Sequence, residues 1–449
     1  MKYLAGLSVL LAATPLAADD LAITIYNGDR ALIEDVRTIS FAQGRSRVEL
    51  PNVSSAIEAQ TVSFAAAGVS IVEQNFDFDL LSPDKLMEKA VGQSVRIVRT
   101  NPGTGAETTE RATVLSVNRG VVVQIGERIE VLRDDNLPTR VIFDRVPPNL
   151  RPRPTLSVLV DSAQGGAREA KLTYLSNGLQ WRADYVALFD EKASALDLQG
   201  WATLTNSTDT TFANAKTLLV AGDAAGASFG SSGGVRGAGM EAGDVERIGD
   251  NYLYPLAGKT TVASNQTKQV AFVDADGVAA KKAYELLAYG YQSQSEPQNV
   301  DVRISFSNSR AKGLGVPLPG GVIRVYARDS TGRAQFIGED NIGHTPGGSD
   351  ISLKIGEAFD VSTQSAVHAQ TVVSKSVTET TMEYVVRNAK AQPATVTIRQ
   401  QTGGWRAETE ILEENFKSRE PVADTYVWDV PVPAEGETIL RFKVREKRK

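Results

Sequence analysis

Apolar and polar residues alternate one by one through most of this chain, and that period restricts it to β-sheet. Leu21, Ile23 and Ile25 alternate with Ala22, Thr24 and Tyr26, and Val302, Ile304 and Phe306 alternate with Asp301, Arg303, Ser305 and Ser307. Met382, Tyr384 and Val386 repeat the pattern, as do Val396 and Ile398, and Leu440, Phe442 and Val444 alternate with Arg441, Lys443 and Arg445. Successive side chains of a strand point to opposite faces, so each run buries one face and wets the other. Turn-forming clusters lie between the runs, among them Asn27-Gly28-Asp29, Asn118-Arg119-Gly120 and Pro346-Gly347-Gly348-Ser349. Helical periodicity is confined to residues 84–91, where Ser82 reads as the N-cap, and to residues 279–287.

The pattern divides the chain. Residues 1–18 read as a secretory signal peptide: Lys2 supplies the charge, Leu4 to Ala13 a short apolar core, Pro15 a break, and Ala17-Ala18 a small-residue cleavage site. Cleavage is expected after Ala18, with Leu16 larger than such sites favour; an uncleaved N-terminal anchor is the alternative. The apolar core is shorter than the roughly 20 residues of a membrane-spanning helix, and the mature chain shows no other candidate span. The expected location is the periplasm or the exterior. Residues 19–80 read as a small N-terminal β domain. Residues 81–150 read as a short helix followed by five strands in a β-barrel-like domain, and Pro147, Pro148, Pro152 and Pro154 form a stiff link after it. Residues 151–365 read as a β-sandwich domain interrupted by a mobile Gly-, Ala- and Ser-rich loop at 222–249. Residues 366–449 read as an immunoglobulin-like sandwich whose opening pair is a strand ending at Asn388 and a return strand at 395–399. The fold class is mainly β.

Composition narrows the chemistry. The 449 residues contain no Cys, so disulfides, thiolate catalysis, thiolate metal sites and a lipidated cysteine anchor are all excluded. The net charge of −6 argues against nucleic acid as a partner, which calls for a concentrated basic face. Two histidines, His344 and His368, cannot supply a His-rich zinc site. No cofactor is expected.

Local motifs have plain structural readings. Gly226-Ala227-Ser228-Phe229-Gly230 and Gly230-Ser231-Ser232-Gly233-Gly234 match G-x-S-x-G, but both lie in a glycine-rich stretch rather than between a strand and a helix. Gly258-Lys259-Thr260 lacks the earlier glycine of a phosphate loop, and Asp274-Ala275-Asp276-Gly277 lacks the later oxygen ligands of a calcium loop. The basic tail from Arg441 onwards partly follows from strand alternation, with contact to anionic envelope polymers as the alternative.

Two longer motifs carry a resemblance. The first runs through residues 174–185 and contains Tyr174, Gly178, Trp181, Arg182 and Tyr185. The second runs through residues 314–326 with Pro317, Pro319 and Gly320, and continues to Gly338, Glu339, Asp340 and His344. Trp428-Asp429-Val430 is a weaker third. Over roughly residues 155–449 the chain resembles the bacterial domain of unknown function 4139, the family that contains the mucoidy-inhibitor proteins. The resemblance implies a β-sandwich region in an exported or envelope protein and a loose link to exopolysaccharide; it implies no reaction and no catalytic residue. Many similar members place a long helical hairpin where this chain has a small β domain.

Tyr174, Trp181 and Tyr185 have two readings, as core aromatics with Gly178 turning the chain or as a platform for a sugar ring. The function expected is that of a non-catalytic envelope protein binding a protein partner or a surface polysaccharide. A carboxylate-based hydrolase of envelope glycan is one alternative and a self-assembling surface protein another. Oligomeric state stays open.

Overall fold

The computed structural model describes residues 20–77, 80–132, 138–147, 150–222, 246–248, 251–402, 407–422 and 424–448. The expected signal peptide lies outside the described residues. So does the glycine-rich stretch with its two G-x-S-x-G matches, apart from Gly222 and residues 246–248.

Strand dominates, and one α-helix, Pro83–Lys89, is present among the described residues. The Ser82 side chain caps that helix by accepting from the Lys85 N–H at 3.2 Å, and Pro83 occupies the first turn, where its missing N–H costs nothing. The second expected helix does not form: residues 279–287 lie inside the strand Gln266–Tyr289. Its Ala-Lys-Glu-Leu composition favours helix locally. It is overruled by ladders on both sides, antiparallel to Gln298–Ser307 and parallel to Ala394–Gln401.

Two compact units are built from interleaved segments. The first comprises residues up to Gln180, Thr205–Leu219 and Pro255–Lys268. Its largest sheet is organised on Arg30–Phe41, paired on one side with Asp20–Tyr26 and on the other along the whole of Gly166–Asn177. A three-stranded sheet centres on Thr155–Ser162, where Leu156, Val158 and Val160 are fully buried. The five strands expected over 81–150 are Ser94–Thr100, Glu107–Ser116, Val121–Ile125, Arg128–Leu132 and Thr139–Ile142. They form an open antiparallel sheet with Thr139–Ile142 and Arg128–Leu132 as its edges, rather than a closed barrel. Ala90 and Met87, from the helix region, pack on Val95, Ile97, Val114 and Val123. Beyond the helix, that face carries a ring in which Arg99 and Arg128 each bind both Glu110 and Glu130.

The second unit comprises Trp181–Leu204, Val220–Tyr254 and Gln269–Lys449. Strand Leu179–Asp190 runs parallel to Gly321–Arg328, which pairs antiparallel with Ala334–Ile342. At the other end, Val377–Asn388 and Gly436–Arg448 form one layer of a sandwich. The return strand Ala394–Gln401 does not pair with Val377–Asn388; it crosses to join Thr425–Val432. The turn is shaped by Asn388, whose side-chain amide donates to the Gln392 and Pro433 carbonyls. Met382, Tyr384, Phe442 and Val444 from one layer meet Val396, Ile398, Trp428 and Val430 from the other. Trp428 stacks on Phe442 with ring centroids 4.5 Å apart.

Candidate functional site: a cleft at the ends of two parallel strands

The first motif is divided between the units. In the first unit Tyr174 is buried, and its hydroxyl accepts from the Ser54 N–H at 3.1 Å. Gly178 sits at φ +81°, where a side chain would collide with Thr208, and its N–H donates to Asp29. Trp181, Arg182 and Tyr185 belong to the second unit. Along Leu179–Asp190 the odd-numbered residues are buried, which puts Trp181 and Tyr185 in the core. The Trp181 indole donates to the Val220 carbonyl at 3.0 Å. The Tyr185 hydroxyl donates to the Pro319 carbonyl at 2.7 Å, and Tyr254 donates to the Pro317 carbonyl at 3.0 Å. Two buried tyrosines therefore fix the Pro317–Pro319 segment by its backbone, and the adjoining Gly320 N–H donates to His344 Nδ1 at 3.1 Å. Burial raises the pKa of Tyr185 and of Tyr254, so both keep their protons. These aromatics pack the core and offer no ring face to solvent.

Arg182 and Glu339 lie on the outer face of this sheet, while Asp340, the next residue along its strand, pairs with the buried Ile323 and faces the other way. Asp184 accepts from Thr203 at 2.7 Å, from Arg324 at 3.1 Å and from Arg182 at 3.1 Å. Arg324 also meets Glu339 at 3.3 Å. Burial pushes the Asp184 carboxyl up, but these three donors outweigh it and hold the group below the usual carboxylate range. Asp340 accepts from the Lys354 N–H at 2.7 Å. Gly338, at φ +151°, lies so close to the Ile355 carbonyl that no Cβ fits.

Parallel pairing of residues 183–189 with 321–327 brings the C-terminal ends of both strands side by side. There the structure opens a cleft of about 950 Å³, wholly within the second unit. Its floor includes Tyr284, whose ring lies 5.2 Å from Lys390 Nζ and 5.7 Å from Lys282 Nζ. Lys390 also donates to the Tyr284 hydroxyl at 2.7 Å, a bond that holds its ammonium pKa above the ordinary value. Lys282 is bound by Glu191 at 3.1 Å. Asp329 turns the wall: hydrogen bonds from the Thr331 hydroxyl, Gln335 and the Arg333 N–H lower its pKa to about 2. On the rim stands Phe359, 94 % exposed in the strand Asp350–Ser374.

Of the sequence motifs only the continuation of the second reaches this cleft, through Ile337 in its lining. Phe359 is thrown outward because pairing with Gln298–Ser307 shifts register between Asn299 and Asp301 and again between Val302 and Arg303. Ile351 and Leu353 are buried on odd positions, Ala358 on an even one, and Val361 on an odd one again. The only trace in the sequence is a phenylalanine out of phase with its strand.

The cleft holds donors and acceptors in near balance and one free aromatic ring, which suits a polar ligand with an apolar face. Every described carboxylate with a resolved pKa shift, namely Asp20, Glu130, Asp184, Asp329, Glu379, Glu383 and Glu414, is shifted downward. A glycosidase acid needs the opposite shift. Among the described residues no three His, Asp or Glu gather as a metal site, and no helix is long and apolar enough to cross a membrane. The Glu383 carboxyl accepts from Arg441 at 3.0 Å and lies 2.9 Å from His368, while Lys443 and Arg445 bind Glu379, so Arg441, Lys443 and Arg445 of the last strand have acidic partners.

The family model described as a domain of unknown function, number 4139, matches residues 170–447, well over half of the chain. No curated protein matches it.

Proposed function

The chain belongs to the family of the domain of unknown function 4139, whose description names no reaction, and on that footing we propose that it is an exported, non-catalytic protein that binds surface polysaccharide in the cleft of its second unit. The observation that carries this reading is Phe359, an exposed ring at the mouth of a cleft whose floor is Tyr284 between two lysines. A sugar ring offers an apolar face to such a ring and hydroxyls to both the ammonium and the carboxylate groups around it. Asp329 in the cleft wall is held low by its hydrogen bonds, which suits an acceptor for sugar hydroxyls better than a general acid. The signal-peptide pattern of residues 1–18 supports export to the periplasm or beyond.

The test is calorimetric titration of the mature protein with purified neutral and uronate-containing oligosaccharides. Wild type should bind at least one of them, and Phe359→Ala and Lys390→Ala should each weaken binding by roughly tenfold or more. Binding unchanged in both variants would overturn the assignment of the cleft. If no saccharide binds but crosslinking in living cells captures one envelope protein through this cleft, the ligand is that protein instead. N-terminal sequencing of the exported chain should begin at Asp19.

A further inference from the structure

The cations and carboxylates around the cleft are close in number, but the carboxylates are largely engaged and the cations are not. Asp190 accepts from the Lys192 and Ala193 N–H groups, both at 2.9 Å. Glu191 binds Lys282, and Glu357 stands 3.9 Å from Lys354. Asp329 accepts from the hydroxyl and N–H of Thr331, the Arg333 N–H and Gln335. Only the Asp360 carboxylate has no partner among the described residues of the lining, and it acts on Lys390 from beyond ion-pair distance. The cations differ. Lys282 is neutralised by Glu191, but Lys192, Arg328 and Lys390 form no ion pair among the described residues. Arg328 donates to the Gly332 carbonyl at 3.1 Å, and Lys390 to the Tyr284 hydroxyl at 2.7 Å, both neutral acceptors.

Lys390 and Tyr284 together make a donor pair. The Tyr284 oxygen accepts the lysine bond, which leaves its own proton to donate, and no described residue takes that proton. Both side chains are half-buried, so an acceptor that reaches them sheds part of its water and meets an ammonium and a hydroxyl side by side. Resting on the reading of the cleft as a saccharide site, we propose that its ligand is an acidic saccharide, with a uronate carboxylate seated on Lys390 and the Tyr284 hydroxyl. A carboxylate offers two oxygens to these two donors, and hydrogen bonds to an ionised acceptor are roughly twice as strong as those to a neutral one. A neutral sugar hydroxyl in the same place would leave the charge of the half-buried ammonium unmatched. Lys192 and Arg328 add positive charge to the lining, and Phe359 is left for the apolar face of the sugar ring.

The test is calorimetric titration of the mature protein with hexuronate oligosaccharides of differing epimers, each alongside its methyl ester and its carboxyl-reduced form. These forms share the sugar ring and differ in charge. Wild type should bind at least one acid about tenfold or more tightly than both of its neutral forms, and that advantage should shrink as sodium chloride is raised. Lys390→Gln and Tyr284→Phe should each bring the ratio of acid to neutral affinity close to one. Tyr284→Phe keeps the ring, so a change in that ratio reads the lost donor and not lost packing, and circular dichroism melts matching wild type show that both variants are folded. Neutral forms bound as tightly as the acids would overturn this inference and leave the saccharide site standing, whereas binding of no saccharide at all would overturn both. A preference for the acid that survives both substitutions would place the carboxylate elsewhere and overturn the assignment to Lys390 and Tyr284.

Discussion

The Tyr185 hydroxyl reaches the Pro319 carbonyl oxygen across 134 positions of the chain, at 2.7 Å, and so joins the two longest motifs of the sequence by one buried hydrogen bond. Tyr185→Phe removes the donor and leaves the Pro319 carbonyl buried without it, a loss of about 1–3 kcal/mol. Tyr254→Phe does the same to Pro317, two residues away. Urea unfolding followed by near-ultraviolet circular dichroism should show both variants less stable. The double variant should depart from additivity, since both bonds hold one short segment.

Gly338→Ala should be more damaging than either. The glycine combines a φ of +151° with contact against the Ile355 carbonyl, so an added methyl is opposed by backbone conformation and by space together. We expect a loss of about 3 kcal/mol or more, enough to reduce the soluble yield. Gly332→Ala has open space around it and should cost less than a third of that, from its φ of +82° alone. Parallel expression and melting of the two variants checks the contrast.

Strand content was legible because period two survives in a single sequence wherever one face is buried: the alternation of Leu440, Phe442 and Val444 is the alternation of burial in the last strand. Ser82 was legible as a cap for a similar local reason. Residues 279–287 were misleading because their local preference is helical and the ladders that overrule it come from partners near residues 301–306 and 396–401, far along the chain. The cleft was illegible because its walls come from strands far apart in the sequence, two of them joined by the parallel pairing of residues 183–189 with 321–327, and because Phe359 gains its exposure from bulges in its own strand. The aromatics that drew attention, Trp181 and Tyr185, have the composition of a platform and the burial of a core.

Trp428 tests the sandwich separately from the cleft. It is fully buried, stacks on Phe442 and donates its indole N–H to Glu414 at 2.9 Å. Trp428→Ala opens a large cavity and removes one donor from Glu414, which keeps Lys417 and the Ser418 N–H, at a cost of about 3–5 kcal/mol. Trp428→Phe keeps most of the volume and should recover more than half of the loss, the remainder reflecting the bond to Glu414. Guanidinium unfolding of the three proteins measures both steps.

Asp184 offers a test by pH. Its carboxyl is buried yet titrates below the ordinary range, because Thr203, Arg324 and Arg182 bind the charged form. A folded pKa below the unfolded value of about 3.9 means that the group stabilises fully above that value and that its contribution is lost as pH falls through the folded pKa. Asp184→Asn keeps the shape and removes the charge, and should cost about 1–3 kcal/mol at pH 7. Below about pH 4 the carboxyl takes up a proton in the unfolded chain, and at lower pH in the folded one, so the gap between the two proteins should narrow as the pH falls. Urea unfolding at intervals from pH 7 to pH 3 reads this directly. A gap that stayed constant over that range would show that Asp184 acts through its shape and not through its charge, and that Arg182 and Arg324 are held by other groups.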